Sequence, residues 1–416
     1  MTYASALAAL EARQEARIEL GLGRVRAHLS RLGNPQERVP AFHVAGTNGK
    51  GSTCAIISSV LRASGRRVGL YISPHLLDVR ERISVDGRPI PRPAFARLMA
   101  RTLRADPKKR LTYFELLTSI AFQYFAESGC GVSVLETGMG GRLDATNVIR
   151  APLAAVVTSI DYDHMAFLGN TISAIAAQKV GIFKNGRPAI FPNLPVLRRA
   201  IKRGSPIVVR RPWSIIRTDW ASGVQVLQSP RGETFRLSLL GAKQGRNVAL
   251  AYAAVEASGL TVSEAAWKKG LSAVRWPARV QPIRLNRKIL LIDGAHNPEA
   301  ARALAATFAA SPWSKRPARW ILGILRDKDL AGLLRPLAPF LRDVCVVRPP
   351  SPRALEPLEL AAAVRRFAPR ARVTVERDPS GAIAAWRRDA RAPAVAVCAG
   401  SLYLAGAALK AAGRRA

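Results

Sequence analysis

The chain has 416 residues, 49% of them hydrophobic, with 64 basic against 28 acidic side chains and a formal net charge of +36. This length and apolar content exclude a wholly disordered chain and leave room for two domains with a core in each. The cationic excess is mostly arginine and is spread evenly along the chain, whereas a nucleic-acid surface concentrates charge and interleaves aromatics, so it reads as compositional bias with some attraction for anionic substrates.

In chain order, Ala4 to Leu22 alternates alanine with Glu and Arg at helical spacing and lacks the apolar centre of a secretory leader. Val39 to Val44 reads as a short apolar strand, and Thr53 to Leu61 as the helix after it. Between them runs His43–Val44–Ala45–Gly46–Thr47–Asn48–Gly49–Lys50–Gly51–Ser52. Three glycines let backbone N–H groups converge on an anion. The helix N-terminus adds partial positive charge and Lys50 a full one, so the stretch reads as a polyphosphate cradle. Val44 stands where the usual phosphate loop has its first glycine, and Gly51 where Ser or Thr follows the lysine. The alternative is an ordinary glycine turn.

Arg67 to Ser73 gives a second strand, leading into Pro74–His75–Leu76. Glu81–Arg82 reads as extended and Asp86–Gly87 as a turn. Thr112 and Glu115 have capping-box spacing before an apolar helix to about Phe125. Val132 to Glu136 is a strand, followed by the glycine-rich Thr137–Asn147. Leu153 to Ile160 is another, ending in Asp161–Tyr162–Asp163–His164. Lys50, Ser73, Glu136 and His164 thus each follow a strand, and an open parallel sheet gathers such ends at one crevice. Lys179 shares the apolar face of the helix Thr171–Val180 with Ile172, Ile175 and Ala176. An ammonium there needs a partner, must snorkel outward, or must lose its charge.

Beyond Leu197 the pattern is irregular, with strand-like alternation at Val224–Leu227 and Phe235–Leu239. Gly241–Asn247 then leads into an alanine-rich helix to about Ala257. Val274–Arg279, broken by Pro277, reads as an interdomain linker. A strand at Lys288–Ile292 precedes the loop Asp293–Pro298, where Asn297 can cap a helix and Pro298 can take its first position. Strands at Trp320–Leu322, Val344–Val347, Val373–Val375 and Val395–Val397 alternate with helical stretches, giving a second, Rossmann-type α/β sheet. The uncharged run Ala392–Leu409 is long enough to span a membrane, but Gly400–Ser401 divides it into a strand, a turn and a helix. Cys54, Cys130, Cys345 and Cys398 have no metal-type spacing and read as buried, reduced thiols of a cytoplasmic protein.

Taken together, His43–Ser52, Ser73–Leu76, Thr112–Glu115, Glu136–Asn147, Asp163–Gly169 with Lys179–Ile182, Asp293–Pro298 and Gly400–Tyr403 resemble folylpolyglutamate synthase, including the bacterial forms that are also dihydrofolate synthase. These belong to the Mur ligase superfamily of ATP-dependent amide-bond formers. The resemblance implies an α/β fold with an N-terminal P-loop Mur-ligase-type ATP-binding domain at 1–276, a linker at 277–284 and a smaller C-terminal Rossmann-like glutamate-ligase domain at 285–416, with catalysis in the cleft between them. It implies an ATP cradle at Gly46, Thr47, Asn48, Gly49, Lys50, Gly51 and Ser52, with further ATP contacts from Asn247, Arg279 and Asp293. Magnesium ligands would fall on Ser73, Glu136 and His164, and a carbamylated Lys179 would hold a second Mg²⁺. His296 would lie near the phosphates or the incoming glutamate.

The implied reaction starts when a folate or dihydropteroate carboxylate attacks the γ-phosphoryl group of ATP. The α-amine of L-glutamate then attacks the acyl phosphate. A monomer without specific nucleic-acid or membrane partners is expected. The chain departs from the family pattern with Pro277–Ala278–Arg279 in place of Pro-Gly-Arg, with Val79 where an aromatic is common, and with Tyr162 and Met165 where smaller or polar residues are expected. Two other readings are a basic, nucleotide-gated RNA-binding protein and another Mur-type amide ligase acting on cell-wall precursors. Thr112–Glu115 and Gly400–Tyr403 argue against the latter.

Overall fold

A computed structural model describes residues 1–13 and 19–413. Of the helically spaced stretch Ala4 to Leu22, residues 14–18 lie outside the described residues, and Tyr3–Glu11 is a helix capped by the Thr2 hydroxyl. The chain divides into two compact units, Met1–Trp213 with Arg246–Val274, and Ser214–Gly245 with Arg275–Ala416.

The first unit is built on an eight-stranded sheet. Its strands are β1 (Ala41–Ala45), β2 (Val68–Tyr71), β3 (Ile83–Val85), β4 (Arg88–Pro89), β5 (Val132–Glu136), β6 (Ala154–Val157), β7 (Pro188–Pro192) and β8 (Ser205–Val209), in the spatial order β4-β3-β2-β5-β1-β6-β7-β8. The six strands from β2 to β8 in that order run parallel, while β3 and β4 turn back antiparallel at the edge. β1, β5 and β6 are buried at every position, which is why they read as continuous apolar runs and not as alternating ones. The strand order reverses at β1, so the crevice beyond its carboxyl end is where such a sheet takes a ligand. Val44 lies opposite Glu136 on one side and Val156 on the other, so three strand ends finish level.

Two local departures from the sequence reading bear on the site and its surroundings. The first-unit helix runs Lys50–Ala63 and begins three residues before Thr53, because the loop ends at left-handed Gly49 (φ 86°). Glu81 and Arg82 are in a 3₁₀ turn, Val79–Arg82, and not in an extended segment. The Glu81 carboxylate accepts the N–H groups of Leu76, Leu77 and Asp78, and that curls the chain. The Thr112–Glu115 capping box is present, opening the helix Tyr113–Glu127.

The second unit holds a three-stranded antiparallel sheet, β9 (Ser214–Asp219), β10 (Val224–Gln228) and β11 (Thr234–Leu237), in the order β11-β10-β9. Its six-stranded sheet comprises β12 (Gln281–Leu285), β13 (Lys288–Ile292), β14 (Ala318–Leu322), β15 (Asp343–Val346), β16 (Arg372–Val375) and β17 (Val395–Ala399), in the order β12-β13-β17-β14-β15-β16. Only β12 is antiparallel to its neighbour. Residues 214–245, which the sequence reading keeps with 1–276, group here with the second unit. Trp220 meets the ring of Trp313 edge-on at 5.7 Å, and Leu240 joins the core of Val280, Phe308 and Trp320.

Asn297 caps the helix Pro298–Ala309 through Ala300 N–H. The run Ala392–Leu409 folds as β17, a turn at left-handed Gly400 (φ 122°) and the helix Leu402–Ala411. Among the described residues, no helix is long and apolar enough to cross a membrane. All four cysteines are buried and free.

Candidate active site

The loop after β1 is stitched to the loop after β6. The Thr47 hydroxyl donates to Asp161 O and accepts from Asp161 N–H, both at 3.0 Å, and Asn48 N–H donates to Ser159 Oγ at 2.9 Å. A side chain at Gly46 (φ 149°) would run into Thr158, and a Cβ on Gly49 would lie 2.6 Å from Asn247 Oδ1. Asn247, nearly 200 positions further along and inside the helix Gln244–Ala257, therefore sits against the loop. With Gly49 at its N-cap, the Lys50–Ala63 helix has no side-chain cap among the described residues. Its first-turn N–H groups, Gly51 and Ser52 included, are therefore the kind of donors that a phosphate satisfies. Lys50 Nζ folds back onto the carbonyls of Gly46 (3.0 Å) and Thr47 (3.1 Å).

Glu136 is buried at the end of β5, and its Oε2 accepts Ser73 N–H at 3.2 Å, so the ends of β2 and β5 meet. These are hard oxygen donors of the kind magnesium prefers. Beside Glu136 the Thr137 hydroxyl is buried without a hydrogen-bond partner. Among the described residues no group of three His, Cys, Asp or Glu side chains could enclose a metal by itself. Mg²⁺ is commonly held by one or two carboxylates, with phosphates and water completing its shell. His164 caps the short helix Met165–Leu168 in a left-handed conformation (φ 51°), with its ring partly exposed and 3.9 Å from Asp163. Tyr162, Met165 and Phe167 around it are exposed.

Lys179 is 3% exposed, so its ammonium does not snorkel to water. The last turn of its helix packs on the glycine-rich loop. Arg142 N–H donates to Gln178 O at 2.7 Å, and a Cβ on Gly141 would lie 2.9 Å from Lys179 O.

The structure also isolates a buried carboxylate, Asp144, within the Thr137–Asn147 loop. Asp144 Oδ2 accepts Gly138 N–H (2.8 Å) and Met139 N–H (3.0 Å), while Oδ1 accepts the Thr146 N–H and hydroxyl. Burial pushes the Asp144 carboxyl up, against the hydrogen bonds from Thr146, Met139 and Gly138 that hold it down. The Thr146 hydroxyl, having spent its proton on Asp144, can only accept from His43 Nε2 at 2.8 Å. His43 therefore carries its proton on Nε2, and burial lowers its pKa to about 3. This chain ties β1, beneath the Gly46–Gly49 loop, to the loop after Glu136. Asp144→Asn turns an amide toward two donors and is expected to cost about 2–4 kcal/mol of stability, read from the denaturant midpoint.

In the second unit, Arg279 lies between two non-glycine residues with left-handed backbone, Ala278 (φ 57°) and Val280 (φ 45°). Ala278 thus keeps the turn that glycine would make, at a cost of about 1–2 kcal/mol per residue. Asp293 Oδ2 accepts Val280 N–H at 2.9 Å, and Oδ1 accepts Ala295 N–H at 2.8 Å. Burial raises the Asp293 pKa, opposed first by the charge of Arg279. His296 Nδ1 donates to Gly294 O at 2.8 Å, so in the neutral ring Nε2 is the acceptor.

Two family descriptions match the chain: a Mur ligase middle domain over residues 44–255, and a Mur ligase glutamate ligase domain over residues 278–402. The chain is 38% identical over 338 residues to the dihydrofolate synthase/folylpolyglutamate synthase of Escherichia coli K12, covering 80% of this chain and 78% of that one. It is 36% identical over 391 residues to the Mycobacterium tuberculosis protein of the same name, covering 85% and 80%. Escherichia coli FolC solved with DHPP and ADP superposes with a TM-score of 0.87 at 34% identity, over 99% of this chain and 97% of that one. A Yersinia pestis bifunctional enzyme solved with AMPPNP and a Mn ion gives a TM-score of 0.85 at 31% identity, over 99% and 98%.

Proposed function

Because the chain belongs to the dihydrofolate synthase/folylpolyglutamate synthase family of Mur ligases, we propose that the residues gathered at its strand ends carry that family's chemistry. The chain is an ATP-dependent ligase that adds L-glutamate to a folate. The observation that supports the site assignment best is the uncapped helix N-terminus behind Gly49 and Lys50, with Asn247 against it. Lys50 and the first-turn amides neutralise the β- and γ-phosphates. Asn247 and Asp293 hold the nucleotide, Arg279 adds a second cation, and His296 lies by the phosphates or the incoming glutamate.

A folate carboxylate attacks the γ-phosphoryl group, ADP leaves, and an acyl phosphate forms. The α-amine of glutamate then attacks the acyl carbon, and phosphate departs with the bonding pair. Little covalent help is needed from the protein, because fixed charges and positioning lower the barrier. Magnesium, with Ser73, Glu136 and His164 as its protein donors, supplies charge neutralisation on the triphosphate. The finer reading is a cytoplasmic monomer that accepts both dihydropteroate and reduced folates and has no nucleic-acid partner.

Phosphate release from ATP tests this reading against dihydropteroate, tetrahydrofolate and methylenetetrahydrofolate, each with and without glutamate. Glutamate-dependent release with both substrate classes is expected. Release with one class alone removes the bifunctional reading. No release, together with steeply salt-dependent RNA affinity, would favour a nucleotide-gated RNA-binding protein instead.

A further inference from the structure

We infer that Gln281 is a positioning residue for Arg279, acting by holding the left-handed backbone on which Arg279 is mounted. This rests on the assignment of Arg279 to ATP made above.

Two side-chain-bearing residues with positive φ, 57° at Ala278 and 45° at Val280, flank a single arginine. Val280 is β-branched, so its Cβ is crowded there in a way a glycine would avoid. Such a pair persists only where surrounding groups over-determine it. Both N–H groups are taken by side-chain acceptors: Ala278 N–H by Gln281 Oε1 at 3.0 Å, and Val280 N–H by Asp293 Oδ2 at 2.9 Å.

The Ala278 carbonyl is engaged as well. It accepts Gly294 N–H at 3.0 Å and Arg279 Nη1 at 3.0 Å. A Cβ on Gly294 would lie 2.7 Å from Arg279 Nη1, so the guanidinium rests directly on that glycine. The orientation of the Ala278 peptide groups therefore sets where the guanidinium is anchored. Gln281, at the start of β12, is the side chain that holds the N–H of that residue. Asp293 is the matching clamp at Val280, but it is also assigned to the nucleotide. Gln281 thus isolates the positioning effect.

The test pairs Gln281→Leu, which removes the acceptor, with Gln281→Glu, which keeps one. Each is read by calorimetric binding of the non-hydrolysable nucleotide AMPPCP, by KM for ATP and for glutamate, and by thermal unfolding. Losing one net hydrogen bond at this anchor is expected to weaken AMPPCP binding and raise KM for ATP about tenfold in Gln281→Leu. KM for glutamate should not change, and Gln281→Glu should stay within about twofold of the parent. Ala278→Gly lets the same backbone form without crowding, so adding it to Gln281→Leu should recover most of the lost nucleotide affinity.

Unchanged AMPPCP affinity in Gln281→Leu, while Arg279→Ala loses it, would overturn the positioning role alone. Equal loss in the Leu and Glu variants, or no recovery from Ala278→Gly, would do the same by reducing Gln281 to a general structural residue. Unchanged affinity in Arg279→Ala would overturn the ATP assignment itself and the inference with it. If Gln281→Leu fails to fold, the comparison of Gln281→Glu with Gln281→Met carries the same readings.

Discussion

Lys50→Ala is expected to remove glutamate-dependent ATP turnover, by roughly 10³-fold or more, while the protein stays folded. A helix N-terminus carries partial positive charge and favours anions, yet the first residue of the Lys50–Ala63 helix is a lysine. Its ammonium donates to the carbonyls of Gly46 and Thr47, hydrogen bonds that any polar cap could replace. Stability therefore gives no reason for a cation there, and an incoming polyphosphate does. Because removing the charge relieves the unfavourable dipole interaction, the unfolding free energy should change by less than about 1 kcal/mol. Phosphate release and a denaturant titration on the same preparation check both halves. Turnover within tenfold of the parent would exclude Lys50 from the phosphate-binding machinery. His164→Ala is expected to act in the same way, since a partly exposed ring in a capping position contributes little to folding.

Lys179→Ala is expected to reduce turnover by at least about 100-fold, and short carboxylic acids such as acetate should restore part of it. A lysine that is 3% exposed cannot reach water with its charge, and a buried ammonium is costly. In the carbamate that the family resemblance implies, the group would be an anion that a divalent cation can neutralise. A small carboxylate diffusing into the space left by the side chain reproduces that anion, which gives rescue its meaning. Lys179→Met, which fills a similar volume without charge or a carbamate, should be equally inactive and should not be rescued by added acid. Full activity of Lys179→Ala without added acid would remove Lys179 from the reaction.

Much of this fold is legible in short stretches of sequence because the deciding interactions are local. The capping boxes of Thr112 and Glu115, the Asn297–Pro298 helix start and the turn at Gly400 involve residues a few positions apart. The residue types there have only one good use. β5 and β13 were legible to the residue, as apolar runs bounded by turn chemistry. β7, β8 and β12 were not, because prolines at Pro188, Pro192, Pro206 and Pro282 obscure the strand pattern. Glu81 is not extended: with Asp78 it forms a capping box on the short turn Val79–Arg82, a local signal masked by the lack of any apolar run after it.

A glycine-rich loop of phosphate-binding type, a strand-end carboxylate and a lysine on the apolar face of a helix can all be read from the linear chain, on βα units of an α/β protein. Each of those properties is written within about one turn or one strand of the residue concerned. Folding brings Asn247 against Gly49, locks Asp144 to His43 through Thr146, groups residues 214–245 with the second unit, and sets Ala278 and Val280 in left-handed backbone around Arg279. These depend on contacts between segments far apart in the chain. Such contacts arise from packing the assembled sheet and have no period or local residue preference that a linear reading could detect.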